Sequence, residues 1–239
     1  MIKKLLIVGS VFLILTVALT LIAGVTQAGD EDMWHKFYGT AQDMVGKNIS
    51  DGIEVRAIVV DGPGDTEEYT KTIINGTYGY YLPSFYVKDP ERNNKGKPIY
   101  FYIGLLNTTQ STTFVAGGLN ENWNHSGFNL TVEDVPRITD NSPSTGYTGD
   151  PFTFNVTIGE YVDSGDELTV KVNWTHGTHA GFVNNNDTMI CTGGDNINGF
   201  YFEKTITLDN YSIADLVYTI YVNDTSGNSN SSGPHSVHV

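Results

Sequence analysis

The amino-acid sequence predicts an all-β protein of two tandem β-sandwich domains behind an N-terminal apolar segment. Short runs of residues alternate between apolar and polar, which is typical of strands with one buried face. Gly, Pro, Asn and Asp separate these runs, and beyond residue 28 no window keeps the 3.6-residue apolar period of a helix. The 239 residues are enough for two domains of ordinary size.

The N-terminal segment, residues 1–28, has the features of an export signal. Two lysines precede an almost wholly apolar stretch over residues 5–23, and small residues up to Ala28 offer a cleavage site before an acidic run. The apolar stretch is long for a signal peptide and approaches the roughly 20 residues that span a bilayer. We expect either a cleaved signal peptide or a retained membrane anchor, and an extracellular location for the rest of the chain.

The first predicted domain covers residues 29–134. Between two of its strands, Asn75-Gly76 predicts a type I′ hairpin turn, because both positions of that turn need a positive φ. Such a turn places Asn75 at an exposed tip. Strands are predicted over residues 34–39, 52–60, 68–74, 77–82, 98–104, 112–116 and 127–132.

The second predicted domain covers residues 135–239, and the boundary follows from the break in alternation at Glu133-Asp134-Val135-Pro136. Six or seven short strands in a domain of this size are typical of an immunoglobulin-like sandwich. They are predicted over residues 136–139, 151–158, 167–175, 200–208, 217–223 and 235–239, with a further short strand near Met189.

The composition disfavours several functions. Thirteen Lys and Arg against 27 Asp and Glu give a formal net charge of −14, which repels nucleic-acid backbones and anionic lipid headgroups. Cys191 is the one cysteine, so an intramolecular disulfide is impossible. We expect Cys191 to be either a small buried side chain or a half-exposed free thiol, since no base or orienting partner for a nucleophile is identifiable.

The motif N-x-[ST] for N-glycosylation is enriched in the sequence to about three times its chance frequency. Enrichment of this size supports an exported glycoprotein. The predicted acceptors are Asn48, Asn75, Asn107, Asn124, Asn129, Asn155, Asn173, Asn186, Asn210, Asn223 and Asn230.

The strand pattern gives an independent expectation for four of these acceptors. Side chains alternate along a strand, so Asn155 and Asn173 fall opposite the apolar residues of their strands, as do Asn129 and Asn223. Asn and Thr that merely fill exposed strand positions would also explain the outward faces. They would not explain the excess of the motif.

A few short segments in each half carry a resemblance to known families. Residues 142–150 and 218–228 make the second half resemble the Ig-like modules of bacterial and archaeal surface proteins. Residues 37–39, 52–57 and 76–80 make the first half similar to carboxypeptidase-regulatory-like (transthyretin-like) β domains. Members of both families are mostly structural, linking or binding modules, so the resemblance implies no single activity.

The Ig-like resemblance implies roles for two large side chains. Trp174 takes the place of the buried strand Trp, and Tyr218 that of a tyrosine corner. Ile220 stands where one cysteine of the Ig-type pair would be, so the sandwich is expected without its disulfide.

The segment from Trp174 to Gly181 is the strongest catalytic motif in the sequence. Its His176-Gly-Thr-His179 part looks like the histidine segment of subtilisin-type proteases, and Asp163-Ser-Gly165 looks like their aspartate segment. No nucleophile segment follows, and without a nucleophile there is no triad. We predict that this segment forms an exposed loop after the Trp174 strand. The alternative is that His176 and His179 are a pair of metal ligands. His235 and His238 are expected at the surface.

Two other features leave binding functions open. Asp61–Asp65, Asp163–Asp166 and Asp224–Asn228 are oxygen-rich loops that suit either calcium or ordinary turns. Aromatic residues crowd positions 78–102, where those that do not enter the core would form a platform for sugars or a protein partner. That group comprises Tyr80, Tyr81, Phe85, Tyr86, Tyr100 and Tyr102.

These observations favour a cell-surface or extracellular structural or adhesive glycoprotein, without catalytic or cofactor-binding residues. Its expected partners are other surface proteins, glycans or copies of itself through exposed strand edges. Nucleic acid is not expected, and membrane contact is expected only through the apolar segment. The alternative is an extracellular carbohydrate- or calcium-binding module.

Overall fold

A computed structural model describes residues 34–62, 65–89, 94–115, 128–178, 180–211 and 214–239. Within these ranges all regular elements are strands, arranged in several antiparallel sheets as in a β-sandwich, which confirms the predicted fold class. The predicted export segment, residues 1–28, lies outside the described residues. Among the residues described there is no helix long and apolar enough to cross a membrane.

The first half contains nine strands in three sheets. One sheet pairs β1 with β6, a second has the order β5-β2-β9, and a third has the order β4-β3-β7-β8. The pairing of β2 with β9 is parallel and joins the two ends of this half. The strands are β1 Trp34–Phe37, β2 Gly39–Asp43, β3 Glu54–Gly62, β4 Asp65–Thr72, β5 Thr77–Tyr78, β6 Phe85–Lys88, β7 Pro98–Ile103, β8 Leu106–Thr113 and β9 Leu130–Val132.

The described residues of the second half form eight strands in two four-stranded sheets, with the orders β10-β11-β15-β14 and β13-β12-β16-β17. Neighbouring strands in both sheets pair antiparallel. The strands are β10 Arg137–Asp140, β11 Pro151–Gly159, β12 Thr169–Thr178, β13 Gly181–Thr188, β14 Ile190–Asp195, β15 Gly199–Thr207, β16 Leu216–Asn223 and β17 Ser229–Val237.

Two hydrophobic cores form because each strand buries alternate side chains. In β11 the buried positions are every second residue from Phe152 to Ile158, as the sequence pattern predicts. One core gathers apolar residues of the first half, and the other gathers those of the second half. Tyr161 and Val162 are the exception, since they follow β11 and yet pack against the first core. The boundary near residue 135 itself stays a prediction.

The turn at Asn75-Gly76 is confirmed. Asn75 has φ 52° and Gly76 has φ 66°, the positive values that a type I′ turn needs. The bridge between Ile74 and Thr77 closes the hairpin, and Asn75 is exposed.

The loop predicted after the Trp174 strand is wrong over its first part. β12 continues to Thr178, and His176, Gly177 and Thr178 are buried. The physical reason is that β13 pairs with this end of β12 and extends the sheet. β13 lies at the edge of its sheet, and nearly every one of its side chains is exposed. Its residues therefore do not alternate between apolar and polar, and alternation could not predict this strand.

Trp174 and Tyr218 are both buried, on directly opposed positions of β12 and β16. The indole Nε1 of Trp174 donates to Asp187 Oδ2 at 2.8 Å. The Tyr218 hydroxyl donates to Asp140 Oδ2 at 2.6 Å, and burial followed by this hydrogen bond raises the pKa of Tyr218. Tyr218 thereby ties the sheet of β16 to β10 of the other sheet through a carboxylate.

We expect Trp174→Ala to lower the free energy of unfolding by about 3–5 kcal/mol, because it leaves a cavity in the second core and removes the hydrogen bond from the indole to Asp187. Denaturant titration of the variant and the wild type measures the loss. Tyr221→Ala is the matched control, since Tyr221 lies on the same sheet and is 43% exposed. Equal stability of the Trp174→Ala variant and the control would contradict the packing.

Candidate functional site

The junction between the two halves is built around Tyr161. Its ring packs in the first core, its hydroxyl accepts from the Leu105 amide at 3.1 Å, and its carbonyl accepts from the Ser50 amide at 2.8 Å. Gly104 has φ +56°, and a Cβ there would lie 2.4 Å from Tyr161 Cζ. Glycine at this position therefore lets the ring enter the first half.

Asp163 supplies the buried charge of the junction. Its carboxylate accepts from Lys47 Nζ in the first half and from the Thr225 hydroxyl at 2.6 Å and the Thr225 amide at 3.1 Å. Burial alone would raise the pKa of Asp163, but these hydrogen bonds outweigh burial and lower the pKa. The hydrogen bond to Asp163 raises the pKa of Lys47 in turn. The result is an ion pair between residues 116 positions apart.

A second buried carboxylate strengthens the same contact. Asp43 accepts from the Val45 and Lys47 amides and from the Ser226 hydroxyl, the last at 2.8 Å. Asn228 Nδ2 donates to the Asp134 carbonyl at 3.1 Å, close to the point where the chain passes between the halves. The two oxygen-rich loops that begin at Asp163 and Asp224 are thus brought together, which the sequence did not predict.

Glu160 and Asp134 form a pair of carboxyl groups buried at the junction. Both accept from the Tyr161 amide, and one oxygen of each, Glu160 Oε2 and Asp134 Oδ1, has no hydrogen-bond partner among the described protein atoms. Burial, followed by the hydrogen bond and charge of Asp134, raises the pKa of Glu160 to about 9. At neutral pH Glu160 therefore holds a proton, which can satisfy both orphaned oxygens at once.

In the oxygen-rich loops, the carboxylates that the structure describes accept hydrogen bonds from the protein itself. Asp224 accepts from the amide and the side-chain Nδ2 of Asn228, both at 2.7 Å, and Asp163 is engaged as above. The side chains of Asp61 and Asp65 lie outside the described residues. No group of three or more His, Cys, Asp or Glu in the described part of the chain is placed to hold a metal ion.

The histidines are dispersed. His176 is buried in β12, where burial lowers its pKa. Its proposed metal partner, His179, lies outside the described residues. His235 stacks on Tyr218 at 5.1 Å between ring centroids, so it is partly buried rather than a simple surface residue. The His238 side chain is 85% exposed beside Asp215. Cys191 is a half-exposed free thiol against the second core, one of its two predicted states.

A groove of about 680 Å³ lies beside the junction. Arg56 stands on one wall with its guanidinium 5.1 Å from the centre of the Tyr102 ring and 3.4 Å from Glu68 Oε1. The exposed side chains of Leu105 and Ile197 give the rim an apolar character. The groove mixes both charge signs with apolar groups and points to no one ligand chemistry.

The sequon asparagines lie outside both cores wherever the structure describes them. Among these ten residues, Asn155 is half-buried and the other nine are exposed: Asn48, Asn75, Asn107, Asn129, Asn173, Asn186, Asn210, Asn223 and Asn230. Asn124 lies outside the described residues. In two of the described acceptors the amide nitrogen that a glycan would occupy donates a hydrogen bond. Asn155 Nδ2 donates to Glu203 Oε1 at 3.3 Å, and Asn230 Nδ2 donates to the Pro136 carbonyl at 2.9 Å.

Three acceptors share the outer face of one sheet. Asn173 on β12 lies directly opposite Asn186 on β13, and Asn223 follows on β16 opposite Thr169. Since directly opposed residues share a face, these three sequons lie on one surface together with the exposed side chains of Phe182, Val217 and Tyr221.

The aromatic cluster of the first half divides between core and surface. Tyr78, Phe85 and Phe101 are fully buried, whereas Tyr80, Tyr81 and Tyr100 are about half exposed. Phe85 therefore does not belong to any surface platform. Trp34 and Tyr38, which the sequence pattern did not single out, join the exposed aromatics through ring contacts with Tyr86 and Tyr80.

Comparisons with known proteins identify no family for this chain. No family model matches the chain, and no curated protein matches it. A cryo-EM structure of native Escherichia coli alpha-2-macroglobulin is similar at 12% identity over 86% of this chain and 14% of that chain, with a TM-score of 0.23. The chain thus spans about a seventh of that protein's length. The strands and sheets themselves define an all-β, sandwich-like protein. The finer family resemblances stay predictions.

We expect the contribution of Glu160 to the stability of the protein to fall as pH rises from about 4.5 to about 9. Across this window folded Glu160 keeps a proton that the unfolded chain releases, so the native state binds more protons and deprotonation favours unfolding. Glu160→Gln removes this effect because an amide is neutral at every pH. The unfolding temperature of the variant relative to the wild type should therefore rise steadily with pH.

Glu133→Gln is the matched control, because Glu133 is exposed and adjacent to Asp134. Its difference from the wild type should not follow this trend. Parallel unfolding curves for Glu160→Gln and the wild type across the window would show that Glu160 is already ionised in the folded protein.

We expect neither calcium nor EDTA to change the unfolding temperature, because hydrogen-bond donors of the chain already occupy the carboxylates of Asp163 and Asp224. A specific ion at a hundred times its dissociation constant would add about 2.7 kcal/mol, a shift of several degrees. Thermal unfolding with added calcium or with chelator measures this. A calcium-dependent rise that Asp224→Asn abolishes would contradict the assignment.

Proposed function

We propose that the protein is an exported, N-glycosylated structural or adhesive component of the cell surface. The observation that carries this proposal is the position of the sequons, because each described acceptor is exposed or half-exposed. Asn155, Asn173 and Asn223 lie in strands that bury alternate residues, and each falls at a position that is not buried. The N-x-[ST] motif serves as a glycan acceptor in exported proteins, so an excess of it on outer faces supports export.

The junction supports a structural role. Buried carboxylates, an ion pair and the Tyr161 ring connect the halves. In this proposal the two halves therefore act as one rigid unit and not as two domains joined by a flexible linker. Such a unit is suited to present a surface at a fixed distance and orientation. Its partners, in this proposal, are other surface proteins, glycans or copies of itself, with membrane contact limited to the N-terminal segment.

The proposal includes no catalysis and no cofactor. Its support is that His176, the strongest catalytic candidate in the sequence, lies within the paired strand β12 and is 2% exposed. A substrate would have to displace the sheet to reach it.

We expect glycopeptide mapping of the natively exported protein to find glycans on Asn173 and Asn223, which are exposed in strands. Occupancy at Asn155 should be lower, because Asn155 is half-buried and hydrogen-bonded to Glu203. Trypsin leaves Asn173 and Asn186 in one peptide and Asn223 in another that holds two further sequons, so fragment-ion sequencing of the glycopeptides assigns each site.

Asn184 provides an internal control, since it is exposed on the same strand as Asn186 but lies outside any sequon. It should be unmodified. Exported protein without glycan on Asn173 and Asn223, or protein that fractionates with the cytosol, would overturn the proposal.

A further inference from the structure

Aromatic and lysine side chains gather on the outer surface of the β1–β6 sheet and the loop that precedes β6. Both strands bury every second residue, including Phe37 and Phe85, and so turn the intervening residues outward. We call this surface the aromatic–lysine face. It consists of Trp34, Lys36, Tyr38, Tyr80, Tyr86 and Lys88.

In the pairing of β1 with β6, each aromatic residue of this face lies opposite a lysine of the other strand. Trp34 lies opposite Lys88, and Lys36 lies opposite Tyr86. The rings therefore meet on the diagonal, where Trp34 and Tyr86 have centroids 4.9 Å apart at an interplanar angle of 68°. The residues from Trp34 to Tyr38 cover about 13 Å along the strand direction, which suits an extended ligand.

A concavity of about 300 Å³ lies at one end of this face, lined by Lys36, Tyr38, Gly79 and Tyr80. Its size is at the lower end of the range for small-ligand sites. Gly79 forms the floor with φ +73°, where a Cβ would lie 2.1 Å from the Phe37 carbonyl oxygen. This close approach brings the Tyr80 ring to 4.8 Å from the Tyr38 ring. Lys71 Nζ donates to the Pro83 carbonyl and holds the same loop.

The charge of the aromatic–lysine face is opposite to that of the chain. The net charge is −14 with only 13 Lys and Arg, yet two lysines lie here and neither strand of this sheet contains Asp or Glu. The sequence over residues 34–40 and 78–88 also contains no sequon, so the chain's own glycans are not attached to this surface. The two strands of this face thus carry two lysines and no carboxylate, with Asp89 following Lys88 directly in the sequence.

Aromatic rings next to ammonium groups select a particular ligand chemistry. The flat C–H face of a pyranose ring packs on aromatic side chains that are apolar on the face and polar at the rim. A carboxylate on the sugar pairs with lysine through a charge-assisted hydrogen bond. Lysines that only protect a strand edge from pairing would not need ordered rings between them.

We propose that the aromatic–lysine face binds an acidic polysaccharide, a chain of pyranose rings that bear carboxylates. One ring packs in the concavity lined by Tyr38, Gly79 and Tyr80, and its carboxylate reaches Lys36. The following rings run along Tyr86 and Trp34 toward Lys88. This activity goes beyond the structural role proposed above and does not depend on glycosylation of the protein itself.

Calorimetric titration of the exported protein with oligogalacturonate, and with a neutral maltooligosaccharide of the same length, tests the proposal. The acidic oligomer should bind more tightly, and its affinity should weaken with added salt. Tyr80→Ala should reduce the affinity for it by roughly tenfold through loss of one stacking surface. Lys36→Gln should remove most of the preference for the acidic oligomer and reduce the salt dependence.

Tyr201→Ala and Lys171→Gln are matched controls on exposed positions of the second half, and they should bind like the wild type. Enzymatic removal of the protein's own glycans should leave binding unchanged, which separates this test from that of the proposed function. Equal affinity for both oligomers, binding to neither, or equal losses in the controls would overturn the proposal. So would a dimer, seen by sedimentation, that Tyr80→Ala dissociates while oligogalacturonate does not bind.

Discussion

The carboxylate of Asp163 is withdrawn from solvent, and a charge in that position persists only if donors replace its water. Lys47 and Thr225 supply those donors from segments far apart in the sequence. One buried charge therefore fixes the position of the first half, the loop after β11 and the hairpin between β16 and β17. The Tyr161 ring, two residues earlier, adds apolar contact to the same connection. Ionic and apolar terms thus act together where the chain passes between its two cores.

Much of this architecture follows from alternation in the sequence, because a half-buried strand records its environment in every second residue. The strand over Pro151–Gly159 and the Asn75-Gly76 turn are predicted from a few residues each. β13 could not be found this way, since an edge strand with both faces exposed has no apolar register to read. β13 pairs with the end of β12 that holds His176. Because β13 was not predicted, this end of β12 was predicted as an exposed loop.

The site was less predictable than the fold, and for a physical reason. The positions of Asn173 and Asn223 depend on local alternation, so their outward faces can be inferred from neighbouring residues. The Lys47–Asp163 pair and the Glu160–Asp134 pair depend on long-range contacts between loops, which leave no periodic signal. Trp34 and Tyr38 likewise become part of a surface only through β6 and the Gly79 turn, whose positions alternation alone does not give.

The parallel pairing of β2 with β9 has a mechanical consequence. β1 leads directly into β2, and the chain leaves this half from β9, so a pull between the two ends of this half acts on β2 and β9 in opposite directions along their length. Their hydrogen bonds run across that direction and are strained together rather than broken one after another. The first half is thereby arranged to resist stretching in shear, a geometry suited to a molecule that is pulled.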